Sequence, residues 1–273
     1  MSARAVKVLL YTQLIIGAAL AMVPMLWMVS ASLMPAGQAS TYPPRLFPRD
    51  VTFEHYVALF TRLDLGRSLV NSAVIAVTVT ALSILVNSMA GYAFAKLRFR
   101  GRDRLFRVLA AGLVIPVQVT MLPLFLLLKQ MGLINSYWGV IIPGLASIFG
   151  IFLIRQYAVS IPDDLLDAAR VDGAGELRIF GSIVLPTIVP ILATLGIWTF
   201  LSTWNDFMWP LIVLSDERRY TLPVALANLV GEHVQDTELM MAGSVLTILP
   251  VMLVFLFLQR YYIQGVMVGS VKG

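Results

Sequence analysis

The chain alternates between long apolar runs and shorter polar connections. Six apolar segments stand out, at Val8–Leu33, Asn71–Ala95, Leu105–Leu128, Tyr137–Tyr157, Ile183–Leu214 and Met240–Ile263. An α-helix needs about 20 apolar residues to cross the ~30 Å hydrocarbon core of a bilayer. The pattern therefore predicts an all-α membrane protein with six transmembrane helices, organised as a single transmembrane domain over residues 1–273.

Two of these segments differ from a simple span. The first follows Arg4 and Lys7, as the apolar part of a signal peptide would, but it is longer than the about 7–15 residues of such a region. We therefore expect an uncleaved membrane anchor. The fifth is too long for one straight helix, and we expect Pro186, Pro190 and Pro210 to bend it or to detach its ends.

Composition supports a membrane protein and excludes several kinds of chemistry. The chain is 59% hydrophobic and 13% charged, whereas soluble domains carry about 25% charged residues. It has no cysteine, so disulfides, thiol nucleophiles and thiolate metal sites are excluded. The two histidines, His55 and His233, lie in different hydrophilic segments, where we expect surface residues and no metal site.

The distribution of lysine and arginine predicts the orientation, because basic residues are enriched in cytoplasmic loops. Most of the 20 basic residues lie on the inner side if both termini are cytoplasmic. The segment between the second and third spans decides the matter, since it holds six basic residues against Asp103 alone and has the sequence KLRFRGRDRLFR. We interpret this segment as a topology anchor with some contact to anionic lipid. Nucleic acid is the disfavoured partner.

This orientation places a polar, charge-rich connection, residues 158–182, in the cytoplasm between the fourth and fifth spans. Pro162, followed by two aspartates, predicts a helix start, since proline suits the first turn and acids favour the positive end of the helix dipole. Leu165, Leu166 and Ala169 recur at helical spacing and predict one apolar face. Gly173 and Gly175 have the conformational freedom to end the helix, and Glu176 opens the next one.

The spacing within and after this connection is specific. It consists of an acid and two alanines, three residues, a glycine, nine residues and then I-x-L-P, which here are Asp167-Ala168-Ala169, Gly173 and Ile183-Val184-Leu185-Pro186. This spacing resembles the EAA signature of ABC-importer permeases, with aspartate in the place where glutamate is usual. Residues from about Asn71 to the end also resemble carbohydrate-importer permeases, more closely those of the maltose (MalG) type.

The resemblance implies a type I ABC-importer permease fold in which the 158–182 loop is a coupling helix docked on an ATPase. It assigns the coupling contact to Asp167, Ala168, Ala169, Asp172, Gly173, Ala174, Leu185 and Pro186. It also implies a second homologous permease, two ATP-binding cassette subunits, an extracytoplasmic solute-binding protein and a sugar substrate. The sequence has no G-x-x-x-x-G-K-[ST] phosphate loop. We therefore expect no enzymatic activity and no cofactor on this chain, with ATP and Mg²⁺ held by the partner ATPases.

Roles are also expected for the C-terminal tail, one outer loop and a polar and aromatic group in the fifth span. The resemblance makes the tail, Gly269, Ser270, Val271, Lys272 and Gly273, a contact between the two ATPases. It also makes the charged outer loop Ser215–Leu239 a contact for the binding protein, although a merely solvated loop explains the charges equally well. Trp204, Asn205 and Asp206 combine aromatic and polar groups suited to a sugar pathway. Interfacial tryptophans and a helix-capping aspartate are the alternatives.

Three other functions remain possible at this stage. An ABC importer for a non-sugar solute fits most of the same features. An ion-driven secondary transporter would need ionisable residues within the membrane, and only Asp206 qualifies. A membrane-embedded enzyme is disfavoured because histidine, cysteine and paired intramembrane acids are scarce.

Overall fold

The computed structural model describes residues 3–43, 45–61, 63–232 and 236–270, and the part of the chain that it describes is helical. The helices are α1 (Ala3–Ala31), α2 (Glu54–Thr61), α3 (Leu65–Lys96), α4 (Arg102–Ala111), α5 (Val117–Gln130), α6 (Tyr137–Gly144), α7 (Ile148–Ala158), α8 (Asp163–Val171), α9 (Glu176–Ile179), α10 (Leu185–Thr187), α11 (Val189–Trp204), α12 (Met208–Val213), α13 (Leu222–Glu232) and α14 (Thr237–Ser270). Short 3-10 turns at Gly112–Val114 and Glu217–Arg219 and a π-helical turn at Phe180–Val184 complete them.

Four stretches in the described residues are long and apolar enough to cross a membrane, at Arg4–Ala31, Leu65–Lys96, Tyr137–Ala158 and Thr237–Phe257. Each overlaps a span predicted from the sequence. Two further apolar stretches are bent pairs, Arg102–Val114 with Val117–Gln130 at 109° and Glu176–Thr187 with Val189–Trp204 at 81°. The third predicted segment is therefore two helices meeting at a sharp angle. The described residues contain four candidate spans, or up to six if each bent pair is one span.

The fifth predicted segment is broken where its prolines indicated. The helical path bends at Ile188, between Pro186 and Pro190, and a second interruption at residues 205–207 separates α11 from α12, which contains Pro210. Proline has no backbone N–H and its ring crowds the preceding turn, so these breaks have a local cause. The prediction that the prolines divide this segment is confirmed.

Contacts divide the chain into two compact units. The larger unit holds residues 67–221 and 251–273. One of its hydrophobic clusters is formed where α3, α7, α8 and α11 meet, and a second is centred on Trp209 and Val213 of α12 with α3, α5 and α6. Packing between α3 and α7 is close because Gly91 has no side chain: a Cβ there would lie 2.6 Å from Ile154 Cγ2.

The smaller unit holds residues 1–66 and 222–250. Most of α1 is exposed, and its last residue, Ala31, packs with Met34 and Ala39 of the connection that follows. The connection after α1 is held by polar contacts: the Trp27 indole N–H donates to the Arg45 carbonyl at 3.1 Å. Close packing joins α13 to α14, because a Cβ on Gly243 would lie 2.4 Å from Leu226 Cδ2.

This smaller unit corrects two expectations from the sequence. His55 is a buried residue of α2, only 6% exposed, and its Nε2 donates to the Met34 carbonyl at 2.9 Å. His233 lies outside the described residues. The predicted outer loop Ser215–Leu239 contains α13, and its Glu238 is 0% exposed. Leu222 and Val224 at the start of α13 are buried, and the count of charges in the loop concealed this apolar helix.

Candidate functional site

The 158–182 loop contains the nine-residue helix α8, whose two ends are fixed by local sequence. Pro162, in an extended conformation, precedes the helix and Asp163 begins it, as predicted. At the other end Gly173 has a φ of +82°, a left-handed conformation that glycine adopts without steric cost. The Ala174 amide donates to the Ala169 carbonyl and the Gly173 amide to the Arg170 carbonyl. These two bonds form a Schellman motif, which ends the helix.

Gly175 does not share this conformation. Its φ is −72° and its ψ is 159°, so it is extended backbone before the first turn of α9. The sequence predicted that both glycines end α8, and this is wrong for Gly175. One left-handed residue is enough to satisfy the last carbonyls of a helix, and the second glycine serves as the entry to α9.

The attachment of α8 to the protein depends on Leu166, which is 1% exposed and packs in the cluster formed with Ile154, Ala158 and Ile179. Ala169 and Ala174 are half-buried against the same cluster. The neighbouring Leu165 is exposed, which corrects the prediction that both leucines belong to one buried apolar face. Successive residues of a helix point about 100° apart, so Leu165 points to the side when Leu166 faces the cluster.

Polar contacts bind the 158–182 loop to the end of α3. Lys96 Nζ donates to Asp163 Oδ1 at 2.6 Å and to the Ile161 carbonyl at 2.6 Å, and its side chain is almost fully buried. One turn earlier, the Tyr92 hydroxyl donates to Glu176 Oε2 at 2.6 Å. Two side chains four residues apart on α3 therefore hold both ends of the loop.

Within the loop, Arg170 links the two helices. Its NH1 donates to Asp167 Oδ1 at 2.6 Å and its Nε donates to Glu176 Oε1 at 2.8 Å. The hydrogen bonds to Glu176 and then Asp167 raise the pKa of the Arg170 guanidinium above its usual value, so the group stays charged. At the start of α8, the hydrogen bond and the charge of Lys96 hold the pKa of Asp163 below its usual range.

The outer surface of the loop combines exposed polar and apolar side chains. Asp167, Ala168, Asp172 and Gly173 are exposed. Val171 is 87% exposed and Leu177 is 77% exposed, although both are large aliphatic residues in a polar segment. Apolar side chains presented on a rigidly held element are typical of a protein-binding surface.

The last two residues assigned to the coupling contact lie farther along the chain. Leu185 is half-buried and Pro186 is exposed, at the start of α10 after the π-helical turn. Both line an apolar cavity of about 450 Å³ together with Ile84 and Leu85 of α3 and Leu192 of α11. They therefore lie away from the exposed surface of α8, and Leu185 also packs against the cluster that contains Leu166.

The candidate pathway residues are adjacent in sequence but differ in surroundings. Trp204 is 2% exposed and stacks on Phe200 at 5.7 Å between ring centroids. Asn205 is exposed and donates to the Leu201 carbonyl at 2.8 Å. Asp206 Oδ1 accepts from the Trp209 amide at 3.3 Å, in the first turn of α12. The capping role considered for Asp206 is confirmed, while contact with a substrate stays a prediction.

Of the predicted tail contact, Gly269 and Ser270 belong to the last turn of α14. Val271, Lys272 and Gly273 lie outside the described residues.

Sequence reasoning missed the two side chains of α3 that fasten the loop. Lys96 was counted only for topology, and Tyr92 was not considered. A signal did exist, because a tyrosine and a lysine four residues apart at the end of an apolar run lie on one helix face at the membrane boundary. Their partners, Glu176 and Asp163, are 84 and 67 residues away, and no local pattern indicates such a pairing.

Comparison with known proteins agrees with this architecture. Residues 83–268 match the family described as binding-protein-dependent transport system inner membrane component. The arabinooligosaccharides transport system permease protein AraQ of Halalkalibacterium halodurans is 39% identical over 93% of this chain and 92% of its own length. The lactose transport system permease protein LacG of Rhizobium radiobacter is 35% identical over 96% of this chain and 95% of its own length.

Solved structures give the same result. A chain of a bacterial ABC transporter involved in the import of the acidic polysaccharide alginate superposes with a TM-score of 0.83 at 27% identity, covering 96% of this chain and 99% of that one. Fold and sequence together define a membrane-embedded transport component. The chain belongs to the family of inner membrane components of binding-protein-dependent transport systems.

Proposed function

We propose that this chain is the permease subunit of an ATP-driven, binding-protein-dependent sugar importer and forms half of its translocation pathway. It pairs with a second homologous permease, two ATP-binding cassette subunits and an extracytoplasmic sugar-binding protein. ATP and Mg²⁺ bind to the ATPase subunits. The permease itself catalyses no reaction, and its work is to change between inward-facing and outward-facing forms when the ATPases close.

One observation carries this proposal: Lys96 holds the start of α8 and Tyr92 holds the start of α9 from inside the protein, yet Val171 of α8 and Leu177 of α9 are exposed. Two large aliphatic side chains exposed on helices held in this way are typical of a surface that a partner covers. A cleft on an ATPase subunit covers them. The exposed residues Asp167, Ala168, Asp172 and Gly173 surround this contact.

Asp167 has a role of its own in this arrangement. One oxygen of its carboxylate already accepts from Arg170, so the carboxylate holds Arg170 toward Glu176 and leaves its other oxygen for the partner. Ala169 and Ala174 transmit the contact inward because they pack against the same cluster as Leu166. Leu185 and Pro186 act at the far side of that cluster, where α10 meets α3.

The topology of the proposed importer has six spans and two cytoplasmic termini in the bacterial inner membrane. The four apolar stretches of spanning length and the two bent pairs supply the six. Lysine and arginine are concentrated on the side of the 158–182 loop, which is the cytoplasmic side under the positive-inside rule. The tail Gly269–Gly273 then reaches the ATPases as well.

Sugar is the proposed cargo because the two relatives described above transport arabinooligosaccharides and lactose by name, and the structural relative imports a polysaccharide. Within this chain, Asn205 is the exposed polar group beside the stacked Phe200–Trp204 pair. The proposed pathway contact is therefore Asn205, supported by the buried Trp204 and the half-buried Asp206.

The test is a pair of substitutions on the surface of the 158–182 loop. Val171→Glu together with Leu177→Glu should prevent co-purification of the ATPase and abolish sugar uptake, because two carboxylates cannot enter an apolar cleft without a partner. Both side chains are exposed, so the permease itself should remain folded. The matched control is Val51→Glu, at an exposed valine of the 32–53 connection. Normal ATPase binding by the double variant refutes the docking surface.

The cargo is tested separately on the cognate soluble receptor. Binding of a panel of oligosaccharides, amino acids and phosphate should be selective for a sugar, and uptake of that sugar should stop on ATP depletion. Uptake that survives ATP depletion and collapses with the proton gradient would identify an ion-driven transporter instead.

A further inference from the structure

A basic segment, Arg98–Arg107, follows the end of α3 and has no function in the transport mechanism described so far. It holds five arginines, at positions 98, 100, 102, 104 and 107, and one acid, Asp103. Within the described residues, its one internal ion pair joins Arg102 to Asp103 at 3.1 Å. The guanidinium groups of Arg98, Arg100 and Arg104 have no carboxylate within ion-pair distance in that part of the chain.

The segment is held in place by an aromatic cluster. Phe106 is buried with Phe94 and Ile151, and the Arg155 guanidinium carbon lies 4.0 Å from the centre of the Phe106 ring. The Arg102 NH1 group donates to the Leu97 carbonyl at 3.2 Å and closes the turn that contains Gly101. The unpaired arginines are therefore attached to a fixed framework, and they line an open recess of about 1000 Å³.

Exposed apolar side chains lie on the same segment. Phe99 is exposed between Arg98 and Arg100, and Leu105 and Val108 are exposed three residues apart on one face of α4. Arginine beside exposed aromatic and aliphatic groups suits the boundary between headgroups and acyl chains, where both kinds of side chain are accommodated. Because α3 is an apolar helix of spanning length that ends at Lys96, the segment begins at that boundary.

We propose that the Arg98–Arg107 segment binds the phosphate of an anionic phospholipid, with Arg98, Arg100 and Arg104 as its ligands and Phe99, Leu105 and Val108 against the acyl chains. A guanidinium pairs with phosphate through two parallel hydrogen bonds, which favours arginine over lysine at such a site. The apolar groups favour a lipid over a free anion, because a free anion would leave them in water. The assignment of this lipid to the inner leaflet rests on the topology given under the proposed function.

The experiment uses the full-length permease, purified with its partner subunits in detergent and titrated with phosphatidylglycerol or phosphatidylcholine of identical acyl chains. Native mass spectrometry counts the retained lipids. We expect tighter binding of phosphatidylglycerol by the wild-type protein. Arg98→Gln with Arg100→Gln and Arg104→Gln should weaken it by about fivefold per arginine, or roughly a hundredfold, and weaken phosphatidylcholine much less, because that headgroup has no net charge.

The matched control is Arg49→Gln with Lys129→Gln and Arg218→Gln, which removes the same charge from three exposed positions elsewhere. This control should keep the preference for phosphatidylglycerol. Equal loss in the two triple variants would show non-specific charge attraction and overturn the proposal. Full displacement of the lipid by inorganic phosphate would overturn it too, since the ligand would then be a soluble anion.

A further variant guards against misfolding, and a further measurement separates lipid from protein. Replacing the three arginines by lysine keeps the charge and loses the paired hydrogen bonds, so it should give an intermediate affinity even if the glutamine variant fails to fold. Loss of ATPase co-purification with an unchanged lipid preference would make the segment a protein interface and overturn the proposal. The proposed function is tested separately by ATPase co-purification with the Val171→Glu and Leu177→Glu variant, and that result does not depend on the added lipid.

Discussion

The 158–182 loop and the junction of α2 with α14 fasten polar segments in opposite ways. In the loop, Arg170 pairs with the exposed carboxylates of Asp167 and Glu176, and the exposed Asp163 pairs with Lys96. In the junction, Glu238 is fully buried: its Oε1 accepts from the Ala39 amide at 2.6 Å, while Oε2 has no hydrogen-bond partner in the part of the chain that the structure describes. The first region is held by ion pairs whose carboxylates are exposed, together with the buried Leu166, and the second is held by a buried acid.

The histidine of the junction adds to this contrast. His55 Nε2 donates to the Met34 carbonyl, and Nδ1 lies 3.8 Å from Asp236 Oδ1. Asp236 also accepts from the Leu239 amide at 2.9 Å and so caps the start of α14. These buried contacts close the connection between α1 and α2 onto α14, within one compact unit.

The contrast between exposed ion pairs and buried polar contacts predicts which contacts contribute most to stability. Exposed ion pairs contribute about 0–1 kcal/mol, because water and salt screen them. Removing one partner of a buried polar contact costs about 1–3 kcal/mol, because the remaining group loses its hydrogen bond without regaining water. The 158–182 loop should therefore depend on Leu166 and tolerate changes of charge, whereas the junction should depend on its polar groups.

The largest effect is expected for Leu166→Ala in the loop. It removes a buried side chain from the cluster with Ile154 and Ile179 and should cost about 2–5 kcal/mol. Thermal unfolding of the purified protein in detergent measures the loss. Leu165→Ala is the control, because that exposed neighbour should change stability by no more than about 0.5 kcal/mol. Equal losses for the two leucines would mean that α8 is not anchored through one face.

A smaller loss is expected in the junction for Glu238→Ala. The buried Ala39 amide would lose its acceptor, at a cost of about 1–3 kcal/mol in thermal unfolding. Glu238→Gln keeps an oxygen for that amide and should recover most of the loss. If glutamine is as destabilising as alanine, the negative charge matters more than the hydrogen bond, and the contrast between the two regions weakens.

The smallest effect is a pH dependence at the start of α8. Lys96 lowers the pKa of Asp163 in the folded protein, so this contact contributes to stability above the ordinary aspartate pKa of about 3.9 and is lost as pH falls through the lower, folded value. Hydrogen exchange of residues 159–164, corrected for intrinsic rates, should be faster in Asp163→Asn than in the wild type near neutral pH. The two should converge in acid. A difference that persists in acid would contradict the assignment to Lys96.

Local chemistry made part of this architecture predictable. Apolar runs located the helices, the prolines located the breaks at Ile188 and residues 205–207, and Pro162 and Gly173 marked the ends of α8. Each of these depends on neighbours in sequence. The family signature added the idea that α8 faces a partner, which no physical property of the nine residues alone requires.

The remaining features depend on contacts between distant residues. The burial of His55 and Glu238 follows from the packing of α2 and α14 onto the connection after α1, and their hydrophilic neighbours gave the opposite impression. Likewise, nothing near Tyr92 indicates that its hydroxyl meets Glu176. Buried polar groups are placed by tertiary structure, so a count of charges along the chain assigns them to solvent.

The path from the 158–182 loop to α11 is not a continuous rod. It passes through the π-helical turn Phe180–Val184 and then the bend at Ile188, two joints separated by a single short α-helical turn. In the proposed importer, the packing around Val184 and Ile188, which are fully buried in the cluster that contains Leu166, connects α8 to α11 where the regular α-helix is interrupted.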